Sequence, residues 1–394
     1  MEVYLDNAAT TRPSSRVRER MMKTLDEDYG NPSSLHRKGM EAEHYLKEAR
    51  QVIADSMKVS PSSIIFTSGG TESNNMALIG GALANKRRGN HIITTRIEHA
   101  SVHNPVLFLE SQGYRVTFLS VDCLGHVNLS ELKEALCEDT VVVSVMHVNN
   151  EMGAVENLEE IAEIVKSYNR DILFHVDDIQ GYGKYRIYPK RMNIDLLSVS
   201  GHKIHGPKGT GFLYQGEHAR ILPIIYGGEQ QKGMRSGTEN VPGIAGLSEA
   251  VKEIYENHGE KRRGLYERKF QMIERLLKME EVTVHGVVPE GERVTMQAVE
   301  KTAPHIVSAG FAGVRSEVLL HALEEKGVYV SSGSACSSNH PQLSGTLKAI
   351  GVDEKLLDST LRFSFSMNTT EEEITYACDR IEELLPLLRR FTRR

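Results

Sequence analysis

Several short stretches of this sequence set chemistry-bearing side chains among small, turn-forming residues. SSGSACSS, Ser331 to Ser338, holds Cys336 amid serine, glycine and alanine, whereas a core cysteine sits among larger apolar residues. SGHKIHGPKGTG places Lys203 in a glycine-flanked turn beside Ser200 and His202. SGGTESNN offers Gly70 and Thr71 at the opening of a helical pattern, where backbone N–H groups and a hydroxyl make an anion seat. RIEHAS carries His99, VNNEMG carries Asn149 and Asn150, and HVDDIQ ends an apolar run on Asp177 with Gln180 three residues on. Each has an ordinary counterpart: a loop cysteine, a surface lysine, an N-cap after a tight turn, a structural histidine, asparagines capping a turn.

The elements that must position these residues alternate. Strands are expected at 63–67, 91–95, 114–119, 140–148, 171–177, 195–200 and 209–215, with amphipathic helical stretches between most of them. That alternation predicts an α/β fold with a doubly wound, mostly parallel sheet. A long helix over 257–279 leaves this unit. A smaller α/β C-terminal region follows, with strands in VTVHG and GVYVS and a closing helix in TTEEEITYACDRIEELLPLLRR. The division expected is a large domain over 15–255 and a small domain made of 1–14 plus 256–394 that carries the cysteine loop.

In such a sheet, ligands collect beyond the carboxyl ends of the strands, and the candidate residues follow strand ends one after another. An anion seat, a histidine, an amide, a buried acid and a lysine at one edge suit pyridoxal phosphate. The phosphate needs the helix start and hydroxyls, the pyridine nitrogen needs an acid, and the aldehyde needs a lysine. His99 could stack on the ring and Gln180 could bond its hydroxyl. No G-x-G-x-x-G follows a strand, which argues against a dinucleotide fold.

Composition narrows the function classes. The 394 residues carry a formal net charge of -6, so a sequence-wide basic footprint for nucleic acid is missing. No apolar run approaches a membrane span, and the start lacks the layout of a secretory signal. The four cysteines form no CxxC pair, which argues against a zinc site or a disulfide framework and for a reducing cytoplasm.

YLDNAATT, NPSSLH, TSGGTESNN, EHAS, VNNEMG, HVDDIQ, SGHKIHGPKG, GMRSGT and SSGSACSS, in this order over nearly the whole chain, resemble the cysteine desulfurases of the IscS/NifS type. These belong to the class V group of fold-type I pyridoxal-phosphate enzymes. The resemblance implies that Lys203 carries the cofactor and then moves protons at the substrate Cα. It implies that Asp177 pairs with the pyridinium nitrogen, Gln180 meets the ring hydroxyl, and His99 stacks and serves as acid or base. Thr71, Ser200 and His202 hold the phosphate, with Gly70 near it. Thr238 reaches the phosphate of a second subunit, which implies a homodimer. Arg362 clamps the substrate carboxylate with help from Asn150. Cys336 attacks the sulfur of bound L-cysteine, alanine leaves and a persulfide remains, for delivery to a sulfur acceptor or scaffold in iron–sulfur assembly or tRNA thiolation. The cysteine loop resembles that of the long-loop group.

The chain departs from the family in three places. Asp178 stands where a small residue usually follows the acid; it either raises the pKa of its neighbour or points away. Ile179 occupies the place of the small or branched residue behind the ring. Met367 stands where a second basic residue often follows Arg362. Selenocysteine lyase and class V aminotransferase remain as alternative activities, and a non-catalytic sulfur-relay scaffold as a third reading.

Overall fold

The computed structural model describes residues 1–288, 293–332 and 343–392. Its strands, in chain order, are β1 (Val3–Tyr4), β2 (Ile64–Thr67), β3 (His91–Thr95), β4 (Arg115–Leu119), β5 (Thr140–Met146), β6 (Leu173–Asp177), β7 (Leu196–Ser200), β8 (Gly211–Gln215), β9 (Val282–His285), β10 (Ile306–Phe311), β11 (Val328–Tyr329), β12 (Ser331–Ser332) and β13 (Thr360–Ser364).

Seven of these strands form one sheet in the order β2-β8-β7-β6-β5-β3-β4. From β7 through β4 every neighbouring pair is parallel, and only β8 runs against its two neighbours. The seven expected strands are all present. The continuous apolar runs of the inner strands follow from burial on both faces, whereas β4, at the sheet edge, is only partly buried. Consecutive residues alternate between two apolar layers: Ile93, Phe174, Leu197 and Phe212 pack on one side, and Ile92, Leu173, Leu196 and Leu213 on the other. The first layer is covered by helices Arg37–Met57, Leu158–Tyr168 and Val241–Tyr255, the second by the helical stretch after β2 and by Ala100–Ser111.

A second sheet runs β12-β13-β10-β9, all antiparallel. Its core joins Val307, Ala309, Leu361 and Phe363 to residues of helices His258–Leu276, Ser316–Glu325 and Glu371–Thr392. The N-terminal strand β1 pairs in parallel with β11 beside this sheet. Met367 packs against both the large and the small apolar cluster, so it fills the space between them. Within the small sheet, β10 and β13 escape the sequence reading. Helices Ser15–Asp26, Arg37–Met57, Val241–Tyr255 and Ser316–Glu325 escape it too. No helix among the described residues is long and apolar enough to cross a membrane.

Candidate active site

The carboxyl ends of β2, β6 and β7 meet at one place. Beyond β2 the chain turns at Gly69, with φ +151°, and enters the helix Gly70–Asn75. A side chain on Gly70 would have its Cβ 2.1 Å from Ile179 Cδ1 and 3.4 Å from Ser200 Cβ. A larger residue here would have to displace the Ile179 side chain that packs over the helix start. Gly70 is buried, Ser200 is buried at the end of β7, and Thr71 is exposed at the helix start. The turn at Gly69–Thr71 therefore lies against Ser200, and the half-buried His202 follows in the short turn after β7. His202 is pushed down to about 4, first by burial and then by Lys203 and Lys208, which leaves a neutral imidazole beside Thr10 at 3.2 Å.

Asp177 closes β6 and is 3% exposed. Its Oδ1 accepts from Ile179 N–H at 3.0 Å and its Oδ2 from the Asn74 amide at 2.8 Å. Burial raises its pKa; those two donors and the charges of His99 and Lys203 oppose the rise. A carboxyl so placed is matched to a cationic N–H donor, since burial of the charge is offset only by a partner.

Asn74 spends its second amide hydrogen on Ser101 Oγ at 2.9 Å, and Ser101 Oγ lies 2.8 Å from His99 Nδ1. His99 caps the helix Ala100–Ser111, its Nδ1 accepting from Ser101 N–H at 3.1 Å. With Nδ1 an acceptor, the Ser101 hydroxyl donates to it and the imidazole proton sits on Nε2. Burial lowers the His99 pKa. Asn74 and Ser101 thus wire His99 to Asp177, a role the sequence reading missed although both residues fall in stretches it singled out.

Lys203 ends the short turn after β7, and its Nζ donates to the carbonyls of Ala8 and, at 2.7 Å, Ala9. The carbonyl of Lys203 accepts from Nζ of Lys184 at 2.9 Å. Lys184 is buried and pushed down to about 8 by desolvation and by the Lys203 charge. The N-terminal stretch Asp6–Thr11 runs across the site: Thr11 bonds the carbonyl of His202 at 2.8 Å, and Ala8 N–H bonds Ser364 Oγ at 2.8 Å. Gln180 donates from Nε2 to Ala8 O at 2.9 Å and lies 3.1 Å from His305 Nε2.

Arg362, in β13, is 6% exposed. Its Nη1 donates to Asn150 O at 2.8 Å and its Nη2 to Asp6 Oδ1 at 2.9 Å, while Nε is buried with no partner among the described residues. Asn149 is the turn-capping residue of its pair, accepting from Glu151 N–H at 2.9 Å and Met152 N–H at 3.0 Å. Asn150 is left to meet Arg362 through its carbonyl.

Asp178 points away from Asp177. Its Oδ1 is 2.6 Å from His147 Nδ1, and its Oδ2 is buried without a partner among the described residues. Ile179 packs over Gly70. Thr238 is exposed. Cys336 lies outside the described residues. Cys123 is exposed, Cys137 partly buried and Cys378 buried in the last helix.

A doubly wound, mostly parallel sheet flanked by a second, antiparallel sheet is the fold of the NifS-like proteins. One solved NifS-like protein superposes with a TM-score of 0.90 at 36% identity, over 98% of this chain and 100% of the other. SspA, solved in complex with cysteine, does so with a TM-score of 0.79 at 33% identity, over 93% and 100%. The cysteine desulfurase IscS of Dictyoglomus turgidum is 41% identical over 390 residues, 98% of this chain and 95% of that protein. The aminotransferase class-V family model matches residues 3–376. The chain belongs to that family.

Proposed function

We propose that this chain is a pyridoxal-phosphate-dependent L-cysteine desulfurase that moves sulfur from L-cysteine to Cys336 and releases L-alanine. Its full-length likeness to cysteine desulfurases makes it an enzyme of that type. The observation that carries the cofactor is the meeting of Asp177, Lys203 and the Gly69–Thr71 turn at one strand edge, with Asp177 buried and wired by Asn74.

When bound, pyridoxal phosphate supplies an electron sink for charge that develops at the substrate Cα. The turn N–H groups with Thr71, Ser200 and His202 would hold its phosphate, and Asp177 would keep the pyridine nitrogen protonated. His99 would stack on the ring, its Nδ1 side fixed by Ser101. Gln180 would face the ring hydroxyl. Lys203 would bind the aldehyde carbon, then take and return a proton at the substrate Cα. Arg362 would receive the substrate carboxylate through Nε and Nη2, after Asp6 gives way, with Asn150 beside it. The thiolate of Cys336 would attack the substrate sulfur; the carbon–sulfur bond breaks with its electron pair remaining on carbon, and a proton completes alanine.

The same reading makes the chain a homodimer, with Thr238 reaching the phosphate of a second copy. It places the protein in the cytoplasm, delivering sulfur to a scaffold or acceptor protein for iron–sulfur assembly or tRNA thiolation. It divides the chain into a large unit over 15–255 and a small unit of 1–14 plus 256–394, a division supported by two separate main cores.

Alanine and sulfide release from L-cysteine, with mass spectrometry of each cysteine, tests the activity. Wild type should release both and carry an extra sulfur on Cys336. Cys336→Ser should fold and bind cofactor yet release almost no sulfide, because a hydroxyl is a far weaker nucleophile than a thiolate. Wild-type release by that variant, or an adduct on Cys123, Cys137 or Cys378, would overturn the assignment.

A further inference from the structure

His305 is a buried titratable group with no assigned role that touches a candidate cofactor-binding residue. It precedes β10 in the smaller sheet and is 1% exposed, yet its Nε2 reaches across to Gln180 Oε1 at 3.1 Å. Its backbone carbonyl accepts from Phe365 N–H at 2.9 Å, just beyond β13, which anchors the residue to that sheet.

The hydrogen-bond polarity is fixed by the backbone. Ala8 O can only accept, so the Gln180 atom facing it at 2.9 Å is the amide nitrogen. Gln180 Oε1 is then an acceptor, and His305 Nε2 must carry a hydrogen. His305 Nδ1 is buried with no partner among the described residues. Desolvation lowers the pKa of the ring well below its usual value, with Lys184, Lys269, Arg362 and Lys203 acting in the same direction. The ring is therefore a neutral imidazole in the Nε2–H form. His305 and Ala8 thus hold the Gln180 amide at both of its polar atoms and leave one N–H over.

Building on the pyridoxal-phosphate reading above, we propose that His305 is a positioning residue: it locks the Gln180 amide so that the remaining N–H faces the ring hydroxyl of the bound cofactor. With the cofactor bound, donation to that oxygen would draw electron density from it and lower the proton affinity of the cofactor's conjugated system. Without His305 the amide keeps only its bond to Ala8 O and can swing about it, so the bond to the ring hydroxyl weakens and the proton affinity rises.

The measurement is the pH at which the visible absorption band of the bound cofactor titrates, in wild type, His305→Phe, His305→Gln, Gln180→Leu and the double variant His305→Phe/Gln180→Leu. His305→Phe should raise that midpoint by about one pH unit, a tenfold change in proton affinity, and Gln180→Leu should raise it by a similar amount. The double variant should shift no further than either single one, because both changes remove the same hydrogen bond. His305→Gln, which keeps an N–H donor, should restore most of the wild-type midpoint. If His305→Phe does not fold, His305→Asn, too short to reach Gln180, takes its place. An unchanged midpoint in the His305 variant, or additive shifts in the double variant, overturns the inference. A wild-type protein that develops no visible band with added pyridoxal phosphate instead overturns the cofactor reading and the inference with it.

Discussion

Asn74 and Asp177 lie 103 residues apart in sequence and 2.8 Å apart in space, the amide of one donating to the carboxyl of the other. The same amide holds Ser101, and through it His99, so one side chain sets the angle of two candidate cofactor-binding groups. A carboxyl positioned by two donors at fixed geometry is ready for a cationic partner without reorganising.

The two adjacent acids should separate cleanly. Asp177→Asn removes a charge-assisted bond to the cofactor and should weaken cofactor binding by about 1.5–3 kcal/mol, with turnover falling at least as far. Asp178→Ala leaves His147 Nδ1 without its 2.6 Å partner, which should lower stability by about 1–3 kcal/mol while turnover per folded molecule stays close to wild type. Cofactor titration and urea unfolding on both variants check this. Equal loss of cofactor affinity in the two would mean the pyridine nitrogen faces a different acid.

Two lysines lie next to each other here, and only one should react. Lys203 Nζ lies at the open edge on the carbonyls of Ala8 and Ala9, whereas Lys184 Nζ is buried behind it against the Lys203 carbonyl. Borohydride reduction of protein loaded with pyridoxal phosphate should label Lys203 alone, as read by peptide mass spectrometry. Lys203→Ala should abolish the label. A label on Lys184 would transfer the assignment to that residue.

Arg362→Ala should act on substrate binding more than on chemistry, since a carboxylate is held alike in ground and transition states. Loss of hydrogen bonds to a charged group is worth about 1.5–3 kcal/mol, or roughly ten- to a hundredfold in KM for L-cysteine. Arg362→Lys should rescue little, because a point charge cannot reproduce a paired guanidinium geometry. Steady-state alanine formation distinguishes these, and an unchanged KM would remove Arg362 from the substrate site.

Lys269 gives the small apolar cluster a pH signature. It is 1% exposed and bonds Thr302 Oγ1 at 2.5 Å and Ala303 O at 2.7 Å, and burial pushes it down to about 7 from the usual 10.5. Between these values the unfolded chain holds a proton on Lys269 that the folded protein does not, so stability should rise with pH across that window. The slope should be at most about 1.4 kcal/mol per pH unit. Below about 7 both states are protonated and the cost of burying the charge is paid in full. The stability difference between wild type and Lys269→Met, from urea unfolding, should therefore shift in favour of wild type from pH 7 toward pH 10. A difference flat in pH would mean the amine stays charged when folded.

Most strands of the large sheet were legible because they are buried on both faces, and that condition writes itself into the chain as short β-branched runs; β4, at the sheet edge, is only partly buried. Glycines after β2 and around Lys203 were legible for a similar reason, since a close backbone approach excludes side chains at the position itself. The strands β10 and β13 were not. Gly310 and Ser308 dilute one, and Arg362 sits in the middle of the other, so neither carries a pattern that separates it from loop. The sequence by itself determined which residue types gather at the strand ends, because strand order and direction bring those ends to one edge whatever the detailed packing. That Asp178 turns to His147, where Lys203 rests, and that His305 reaches Gln180 across 125 residues of chain were decided only by tertiary structure. A turn sets where a side chain begins. The partner that fixes where it points comes from a distant segment, and local sequence carries no record of that meeting.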